Sequence, residues 1–269
     1  METLKNKSSN FNLFLHNKYY REFLKLFFRY GKVKRNEKRS IKYLNHKIMV
    51  ADCLSFIFQF KEIYVKGYYD FKTESKTPLI LDCGSNIGIS ILFFKDVYPN
   101  SVIKAFEADP HISELLLNNL KSNSVSNVEV ISKAVWKNND GIEFSLEGAD
   151  AGSIFGNNKR VRVPSVRLKD LIEKESKIDF LKLDIEGAES EVIEDCKNSL
   201  MNIQNIFIEY HSFANEEQKL DRILNVLKLN EFRYFIKTDE PRQKPFINHD
   251  SVVSTGMDLQ LNIFAYRSN

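Results

Sequence analysis

Short apolar runs alternate with amphipathic stretches along the chain from Pro78 onward. Such alternation predicts β-strands separated by helices, the pattern of a doubly wound α/β fold with right-handed crossovers. The predicted strands cover residues 79–82, 102–106, 128–132, 180–183 and 206–209. The predicted helices cover residues 87–98, 110–121, 168–174, 189–200 and 216–229. We therefore expect a mostly parallel sheet with helices on both faces.

Two further pairs of alternating segments modify this pattern. Residues 233–236 and 259–266 are joined by a long polar connection and predict an antiparallel hairpin added to one edge of the sheet. Residues 143–146 and 160–163 flank a Gly-rich segment and predict a strand pair that interrupts the regular alternation. Because loops at strand ends confer specificity, we expect the 141–163 insertion and the N-terminal region to form the walls of a binding site.

We expect residues 1–70 to form an N-terminal extension to a main domain over residues 71–269. Residues 13–30 carry aromatic side chains at helical spacing opposite Lys and Arg, which predicts a basic amphipathic helix. Residues 29–47 are basic but lack an apolar period, so we expect a mobile or partner-facing segment without a regular element. The last part of the extension, residues 53–69, is rich in aromatic and β-branched side chains.

The predicted N-terminal helix has two interpretations. Its apolar side, which carries Phe23, Leu24, Phe27 and Phe28, can pack on the main domain while the cations face water. Alternatively, its apolar and cationic faces suit peripheral contact with an anionic membrane surface. The sequence pattern leaves both interpretations open.

Composition places the chain among ordinary globular proteins. It has 269 residues, of which 43% are hydrophobic and 28% charged. The net charge of +3 is too small to indicate a specific nucleic-acid partner, which usually binds a concentrated basic face. Three widely spaced cysteines predict neither a disulfide framework nor a zinc knuckle. Because we find no pattern of a signal peptide or membrane span, we expect a cytoplasmic protein.

The clearest motif is Leu-Ile-Leu-Asp-Cys-Gly-Ser-Asn-Ile-Gly, an apolar strand that ends at Asp82 and turns through Gly84 and Gly88 into a helix. Gly84 permits a tight turn, and Gly88 lets the helix approach the strand closely. The free N–H groups at the helix N-terminus can bind a ligand. The spacing G-x-x-x-G differs from the G-x-G-x-x-G of dinucleotide enzymes. It fits a cofactor without a pyrophosphate, such as a nucleoside joined to a sulfonium amino acid.

A carboxylate follows the second predicted strand at the distance expected of a ribose ligand. Glu107 lies nineteen residues after Gly88 (107 minus 88), close to the ~20-residue offset at which a strand-end acid binds ribose hydroxyls. An isolated Glu at a strand end is more often solvated or a helix cap, but the preceding glycine turn favours the ribose role. Asp109, which precedes Pro110, is predicted to cap the next helix.

Acidic residues and a histidine follow two later strands at the same edge of the predicted sheet, where open α/β sheets bind ligands. Asp184 and Glu186 follow the strand at residues 180–183, and Glu209 and His211 alternate along the next strand, so they can point to the same side. His211 is the first candidate for a general base because its ordinary pKa lies closest to neutrality. Glu209 can orient this histidine or act as the base itself.

The same acids leave a metal site as an alternative. Asp184, Glu186 and Glu209 can hold a divalent cation that lowers the pKa of a sugar hydroxyl. No ligand spacing supports that arrangement, so we assign no metal from the sequence. Glu189 and Glu191 are predicted to cap the helix that follows.

Three ordered motifs resemble those of the FkbM family of methyltransferases over residues 55–266. They are Ile-Leu-Asp-Cys-Gly-Ser-Asn-Ile-Gly, Ala-Phe-Glu-Ala-Asp-Pro and Lys-Leu-Asp-Ile-Glu-Gly-Ala-Glu; a looser fourth block has Lys169 where the family often has Asp. The resemblance implies the class I methyltransferase fold and S-adenosylmethionine as cofactor. It implies that Glu107 binds the cofactor's ribose and that Asp184 lies near its amino acid portion. The residues implied to surround the cofactor are Asp82, Gly84, Asn86 and Gly88.

Members of this family commonly methylate hydroxyl groups of sugars or polyketides. The resemblance therefore implies an O-methyltransferase that acts on a sugar, a glycan or a related small molecule, with Asp184, Glu209 and His211 as candidate catalytic residues. A nicotinamide-dependent oxidoreductase needs a Tyr-x-x-x-Lys pair after the glycine turn, but such pairs, as at Tyr30 and Lys34, precede it. The alternatives are an RNA methyltransferase, for which we find no Asn-Pro-Pro-Tyr motif or RNA-binding module, and a non-catalytic cofactor-binding protein, which would not need the acids.

Overall fold

The structure is a computed structural model that describes residues 17–145, 160–238, 242–248 and 256–267. Its strands are β1 (Arg39–Tyr43), β2 (His46–Val50), β3 (Leu79–Cys83), β4 (Val102–Phe106), β5 (Val128–Ile131), β6 (Ala134–Trp136), β7 (Ile142–Ser145), β8 (Arg160–Val163), β9 (Ser165–Arg167), β10 (Ile178–Leu183), β11 (Ile203–Phe213), β12 (Arg233–Lys237) and β13 (Met257–Tyr266). Its helices are α1 (Lys18–Tyr30), α2 (Cys53–Phe60), α3 (Ile89–Val97), α4 (Pro110–Ser122), α5 (Leu168–Ile172), α6 (Glu189–Asp195) and α7 (Leu220–Leu229), and a π-helical turn, Lys61–Val65, follows α2.

Seven of these strands form one sheet in the order β12-β13-β11-β10-β3-β4-β5. The chain enters at β3, moves outward through β4 and β5, and returns to β10 on the other side of β3. The strands from β11 to β5 pair in parallel, whereas β13 is antiparallel to both β11 and β12. The predicted doubly wound, mostly parallel sheet with an antiparallel terminal hairpin is confirmed.

Hydrophobic cores cover both faces of this sheet. Phe93 and Phe94 of α3 share one core with Ile80 of β3. On the other face, Val192 of α6 packs in the same core as Leu81 of β3. Successive residues of a strand point to opposite faces, which divides Ile80 and Leu81 between the two cores. Because a fully buried Leu or Phe side chain contributes about 1.5–3 kcal/mol, packing on both faces holds the strand ends in fixed positions.

The parallel strands β3, β4, β10 and β11 all end at the same edge of the sheet, which we call the carboxyl edge. The direction of the chain across the sheet reverses between β3 and β10, because β4 lies on one side of β3 and β10 on the other. Open α/β sheets bind their ligands at such a switch point, outside the carboxyl ends of the strands.

The N-terminal extension packs on one of the two cores of the sheet. Helix α1 buries Phe23 and Leu26, which belong to the same hydrophobic core as Phe93 of α3. Its first turn is capped by Asn17, whose side chain accepts hydrogen bonds from the Tyr19 and Tyr20 N–H groups. The predicted helix is confirmed from residue 18 onward, and residues 13–16 lie outside the described residues.

A β-hairpin occupies part of the basic segment in which we expected no regular element, and that expectation was wrong. Strands β1 and β2 pair antiparallel from Arg39 opposite Val50 to Tyr43 opposite His46. The hairpin is fixed to α4 by Asn119, whose side chain accepts a hydrogen bond from the Met49 N–H at 2.7 Å and donates to the Met49 carbonyl at 3.0 Å. A segment that bonds to the main domain in this way is part of the folded core.

The 141–163 insertion is described only at its two ends. Strands β7 and β8 pair antiparallel, as predicted, and residues 146–159 lie outside the described residues. A short parallel pair, β6 with β9, lies next to the insertion and was not predicted. The role of the insertion as a wall of the binding site stays a prediction.

Helix α1 turns part of its apolar surface away from the protein. Phe23 is buried, whereas Phe27 is 42% and Phe28 83% exposed. Packing on the core therefore accounts for only part of the apolar residues of this helix. Within the described ranges, no helix combines the length and apolar character that crossing a bilayer requires.

Candidate active site

The turn between β3 and α3 has the backbone that the glycine motif predicts. Gly84, Asn86 and Gly88 all have positive φ, at +86°, +45° and +92°. A Cβ atom at Gly84 would lie 1.8 Å from the Asp184 carbonyl oxygen, and one at Gly88 would lie 2.5 Å from a Leu116 methyl group. The positive φ therefore favours glycine at both positions, and at Gly84 the close approach of the Asp184 backbone also excludes a Cβ. The turn, which connects β3 to α3, therefore packs closely against Asp184, the residue that follows β10.

Glu107 links this turn to the end of β4. One of its carboxylate oxygens accepts a hydrogen bond from the Asn86 N–H, and the other accepts one from the Asp109 N–H, each at 2.9 Å. Burial raises the pKa of Glu107 to about 7, although these two hydrogen bonds favour the charged form. Asp109 caps α4, as predicted, because its side chain accepts from the His111 and Ile112 N–H groups.

A buried lysine, Lys182, lies under the same turn. Its Nζ donates to the Gly84 carbonyl at 2.7 Å and lies 3.0 Å from the Asp184 carboxylate and 3.6 Å from that of Asp82. Burial disfavours its charge, but the nearby carboxylates outweigh this effect and raise the pKa of Lys182 well above its usual value. Lys182 was not among the predicted site residues, although a cation inside the apolar run Phe-Leu-Lys-Leu is itself an unusual signal.

Five side chains at the ends of β10 and β11 form a compact group that we call the His211 cluster: Asp184, Glu186, Glu189, Glu209 and His211. The buried imidazole of His211 donates through Nδ1 to Glu189 at 3.1 Å. Its other nitrogen, Nε2, faces Glu186 at 3.7 Å and Glu209 at 3.9 Å. Glu189, not Glu209, is therefore the hydrogen-bonded partner that orients His211.

Glu189 also fixes the loop that carries Glu186. Its carboxylate accepts hydrogen bonds from the Ile185 and Gly187 N–H groups at 3.0 Å. The predicted capping role of Glu189 was wrong, because its carboxylate bonds to the loop before α6 and the N-cap residue of the helix, Ala188, makes no side-chain hydrogen bond. Glu186, in this loop, has a positive φ of +56°. Glu191 points elsewhere and pairs with Lys137 at 2.8 Å and Lys219 at 2.9 Å.

The His211 cluster concentrates negative charge in a buried position. Burial raises the pKa of Glu186 to about 8, and burial followed by the charge of Asp184 raises that of Glu209 well above its usual value. Burial opposes the imidazolium form of His211, but Glu186 and Glu189 outweigh it, so the pKa of His211 is raised well above 6.5. The carboxylates of such a cluster favour the binding of a proton or a cation.

Residues that precede β3 border the cluster. Burial raises the pKa of Tyr69 well above its usual value, Lys182 opposes the shift and the carboxylate of Asp184 adds to it. The charge of Glu62, in the π-helical turn, contributes to the raised pKa of Glu209. The N-terminal extension therefore contributes side chains within electrostatic range of the site.

The carboxyl edge brings the predicted site residues together from four strands. Asp82 lies near the end of β3, and the glycine turn follows this strand. Glu107 follows β4, Asp184 follows β10, and Glu209 and His211 lie on β11. The side-chain amide of Gln260, on the neighbouring β13, donates a hydrogen bond to Glu209. The functional assignments of these residues remain predictions.

These residues fit the demands of S-adenosylmethionine. Each Glu107 oxygen accepts one backbone hydrogen bond and keeps a lone pair, so the carboxylate can accept from two ribose hydroxyls. The backbone of the turn from Gly84 to Gly88 carries no Cβ at its tightest points. Strand order, glycine turn and strand-end acid together define a class I S-adenosylmethionine-dependent methyltransferase.

The chain belongs to the FkbM methyltransferase family, because the model of the methyltransferase FkbM domain matches residues 82–234. This range begins at Asp82, includes the glycine turn and the His211 cluster, and ends within β12. S-adenosylmethionine is accordingly the cofactor, as the resemblance implied.

Two curated relatives are similar over much of their length. Methyltransferase sdnD of Sordaria araneosa is 28% identical over 192 residues, which cover 55% of this chain and 74% of that protein. Methyltransferase 1 of Beauveria bassiana (strain ARSEF 2860) is 25% identical over 179 residues, which cover 56% of this chain and 72% of that protein. Among solved structures, M. jannaschii TYW2 in complex with AdoMet is 12% identical, with a TM-score of 0.49 over 87% of this chain and 88% of that one.

Proposed function

We propose that this methyltransferase transfers the methyl group to a hydroxyl oxygen of a sugar, a glycan or a related small molecule. The observation that carries the proposal is the His211 cluster, a buried imidazole with carboxylates beside the cofactor turn. An alcohol must lose its proton when its oxygen is methylated, and a general base typically adds about 10²- to 10⁴-fold to such a step. The cluster supplies candidate bases at the carboxyl edge.

The cofactor, when bound, supplies an electrophilic methyl group on a sulfonium. Glu107 would hold the ribose hydroxyls, the glycine turn would follow the nucleoside, and Asp184 would lie near the amino acid portion. Alignment of the acceptor oxygen with the methyl carbon is the main task of the chain, and well-oriented reactants can gain about 7–11 kcal/mol in this way.

The proton of the acceptor would pass to the His211 cluster. His211 is the first candidate base because Glu189 fixes its ring through Nδ1 and leaves Nε2 facing the site. Glu209, which faces Nε2, is the second candidate. As the new carbon–oxygen bond forms, the methyl–sulfur bond breaks, its electron pair stays on sulfur, and the acceptor proton stays on the cluster.

A polyhydroxylated acceptor suits the border of the site. Carboxylates accept hydrogen bonds from hydroxyl groups, and Glu186 and Glu209 both lie at the carboxyl edge next to Nε2 of His211. One hydroxyl of a sugar can donate a hydrogen bond to a carboxylate while a neighbouring hydroxyl is methylated.

The test is incubation of the purified protein with S-adenosylmethionine and a panel of glycosides, phenols and amines, followed by mass spectrometry. Addition of one methyl group to a glycoside, lost in His211→Gln or Glu209→Gln, supports the proposal. Methylation of amines alone would contradict it. His211→Gln must also keep its affinity for the cofactor, which separates loss of chemistry from loss of the fold.

We further propose that α1 contacts an anionic membrane surface. Its exposed Phe27 and Phe28 adjoin the exposed cations Arg21, Lys25 and Arg29. Aromatic side chains at the headgroup boundary, flanked by cations, are typical of peripheral membrane helices. Such contact would bring the active site close to lipid-linked acceptors.

A further inference from the structure

The His211 cluster has the arrangement of a metal site. One ligand atom from each of Asp184, Glu186 and His211 lies within 4.8 Å of the other two. These three residues come from the β10–α6 loop and from β11, so the fold and not a local sequence motif brings them together. This is why the sequence, which offers no recognisable ligand spacing, gave no metal assignment.

Two polar atoms of this cluster are available to a ligand. Within the described part of the chain, His211, which is 5% exposed, makes one hydrogen bond, through Nδ1, and its Nε2 faces the carboxylates of Glu186 and Glu209 at distances too long for another. The Oδ1 atom of Asp184 is buried without a hydrogen-bond partner, since Lys182 lies next to Oδ2. A buried oxygen without a partner costs free energy, and a cation bound to Oδ1 would remove this cost while it accepts the lone pair of Nε2.

The surroundings of His211 match those of a metal ligand. Histidines that bind a metal through one ring nitrogen almost always donate the other N–H to a carboxylate or carbonyl, which fixes the tautomer and the ring. Glu189 accepts this hydrogen bond and is itself fixed by the Ile185 and Gly187 N–H groups. Nε2 is then the lone-pair nitrogen, directed toward the ligand oxygens.

The charge of the cluster also calls for a cation. The carboxylates of Glu186, Glu189 and Glu209 all lie within 4 Å of the His211 ring. Lys182 compensates Asp184 and Asp82 but is bonded to the Gly84 carbonyl on the cofactor side. Buried like charges are tolerated only when protons or a bound cation neutralise them.

We propose that Asp184, Glu186 and His211 bind one divalent first-row cation of the Mn²⁺ type, with Glu209 beside it. Carboxylates favour hard cations and imidazole favours later first-row metals, so the mixed set suits an intermediate ion. The inference rests on the proposed O-methyl transfer: a cation next to the acceptor oxygen would lower the pKa of its hydroxyl. Ligation of His211 through Nε2 leaves Glu209 to take the proton.

The test uses the full-length protein after removal of metals with EDTA and dialysis against chelator-free buffer. Mn²⁺ is titrated in while the electron paramagnetic resonance signal of the free ion is recorded. We expect one ion per chain, with affinity at least tenfold weaker in Glu186→Gln and in Asp184→Asn. The control is Glu191→Gln, which removes a carboxylate on α6 that pairs with lysines outside the cluster and should leave the affinity unchanged.

A second measurement identifies the nitrogen ligand directly. Electron spin echo modulation of Mn²⁺ bound to the unaltered protein should show coupling to one imidazole nitrogen, which His211→Asn removes. Binding without nitrogen coupling, or loss of affinity as large in Glu191→Gln, would overturn the proposed site. So would the absence of bound Mn²⁺.

Activity then separates this inference from the proposed function. Full-rate methylation of a glycoside in excess EDTA would overturn the metal site and leave the proposed function intact. Specific Mn²⁺ binding with nitrogen coupling, together with methylation of amines only, would support the metal site and contradict the proposed function.

Discussion

The carboxylate of Glu107, after β4, accepts a hydrogen bond from the backbone N–H of Asn86, in the turn after β3, at 2.9 Å. This bond ties the ribose-binding acid to the turn that surrounds the cofactor. A second bond, from the Asp109 N–H, fixes the other oxygen. The carboxylate is therefore held in position before the cofactor binds, which reduces the ordering that binding requires.

Substitution of Glu107 should weaken cofactor binding. Glu107→Gln removes the charge and one acceptor while it keeps the size of the side chain, and a hydrogen bond to a charged group contributes about 1.5–3 kcal/mol. We expect isothermal titration to give a dissociation constant for S-adenosylmethionine that is at least about tenfold higher. Glu114→Gln, a substitution on α4, is the control and should bind as the unaltered protein does. Equal affinities of all three proteins would contradict the ribose role.

Cofactor affinity should rise with pH through about 7. Burial raises the pKa of Glu107 to about 7, whereas the backbone hydrogen bonds from Asp109 and Asn86 and the charge of Lys182 oppose the shift. Below that pH the free protein carries a proton on Glu107, and this proton must leave before both oxygens can accept hydrogen bonds from the ribose hydroxyls. The dissociation constant should therefore increase by up to about tenfold for each pH unit below 7. In Glu107→Gln the profile should be flat, and an unchanged slope in this variant would exclude Glu107 as its origin.

Gly84→Ala should destabilise the fold far more than a glycine substitution at an open position. Both Gly84 and Gly256 have a positive φ, but a Cβ would clash with the Asp184 carbonyl at Gly84 and meets no atom within 4 Å at Gly256. The strained backbone alone costs about 1–2 kcal/mol, and overpacking adds about 1–3 kcal/mol or more. Denaturant unfolding should show this difference, and equal losses for the two variants would contradict the close approach of the turn and β10.

Removal of the Lys182 charge should destabilise the protein strongly. Lys182→Met leaves the buried carboxylate of Asp82 and the partly buried carboxylate of Asp184 without their cation, and loss of a buried partner typically costs about 3–5 kcal/mol. Lys104→Met on β4 breaks a partly exposed pair with Glu175, for which we expect about 0–1 kcal/mol. Chemical unfolding of both variants measures the contrast. A loss at Lys182 no larger than at Lys104 would mean that solvent reaches the carboxylates.

Helix α1 should bind anionic vesicles through its exposed aromatic residues. The affinity for phosphatidylserine-containing vesicles, measured by sedimentation, should fall at least about tenfold when Phe27 and Phe28 are both replaced by Ser. The reason is that each Phe buried in the membrane contributes about 1.5–3 kcal/mol. Leu229→Ser on α7, where Leu229 is 67% exposed, is the control for loss of a surface apolar residue. Failure of the unaltered protein to sediment with these vesicles would remove the membrane proposal.

Much of the sheet could be predicted from the sequence, because its strands are buried and its turns carry glycine. The apolar run that ends at Asp82 and the spacing from Gly88 to Glu107 both follow from local requirements of the backbone, which can be recognised in the sequence alone. Hairpin β1–β2 was missed because its five-residue strands carry Lys and Arg on the solvent side and its turn, at Leu44 and Asn45, has no glycine.

The contacts of the site could be predicted only in part. Alternation along β11 placed Glu209 and His211 on one side, but the partner that orients His211 proved to be Glu189, the first residue of α6. That contact depends on how β10 and β11 pair, which no local pattern records. The role of Lys182 likewise becomes apparent only once the position of the glycine turn, to which its Nζ donates a hydrogen bond, is known.

The proposed reaction is methyl transfer from S-adenosylmethionine to a hydroxyl oxygen. The most direct test is reaction of the purified protein with cofactor labelled with ¹³C in the methyl group and a glycoside acceptor, followed by NMR of the product. The expected product is a labelled methyl ether whose methyl protons correlate with a sugar ring carbon. A label on nitrogen or carbon, or no transfer by a protein that binds the cofactor, would contradict it.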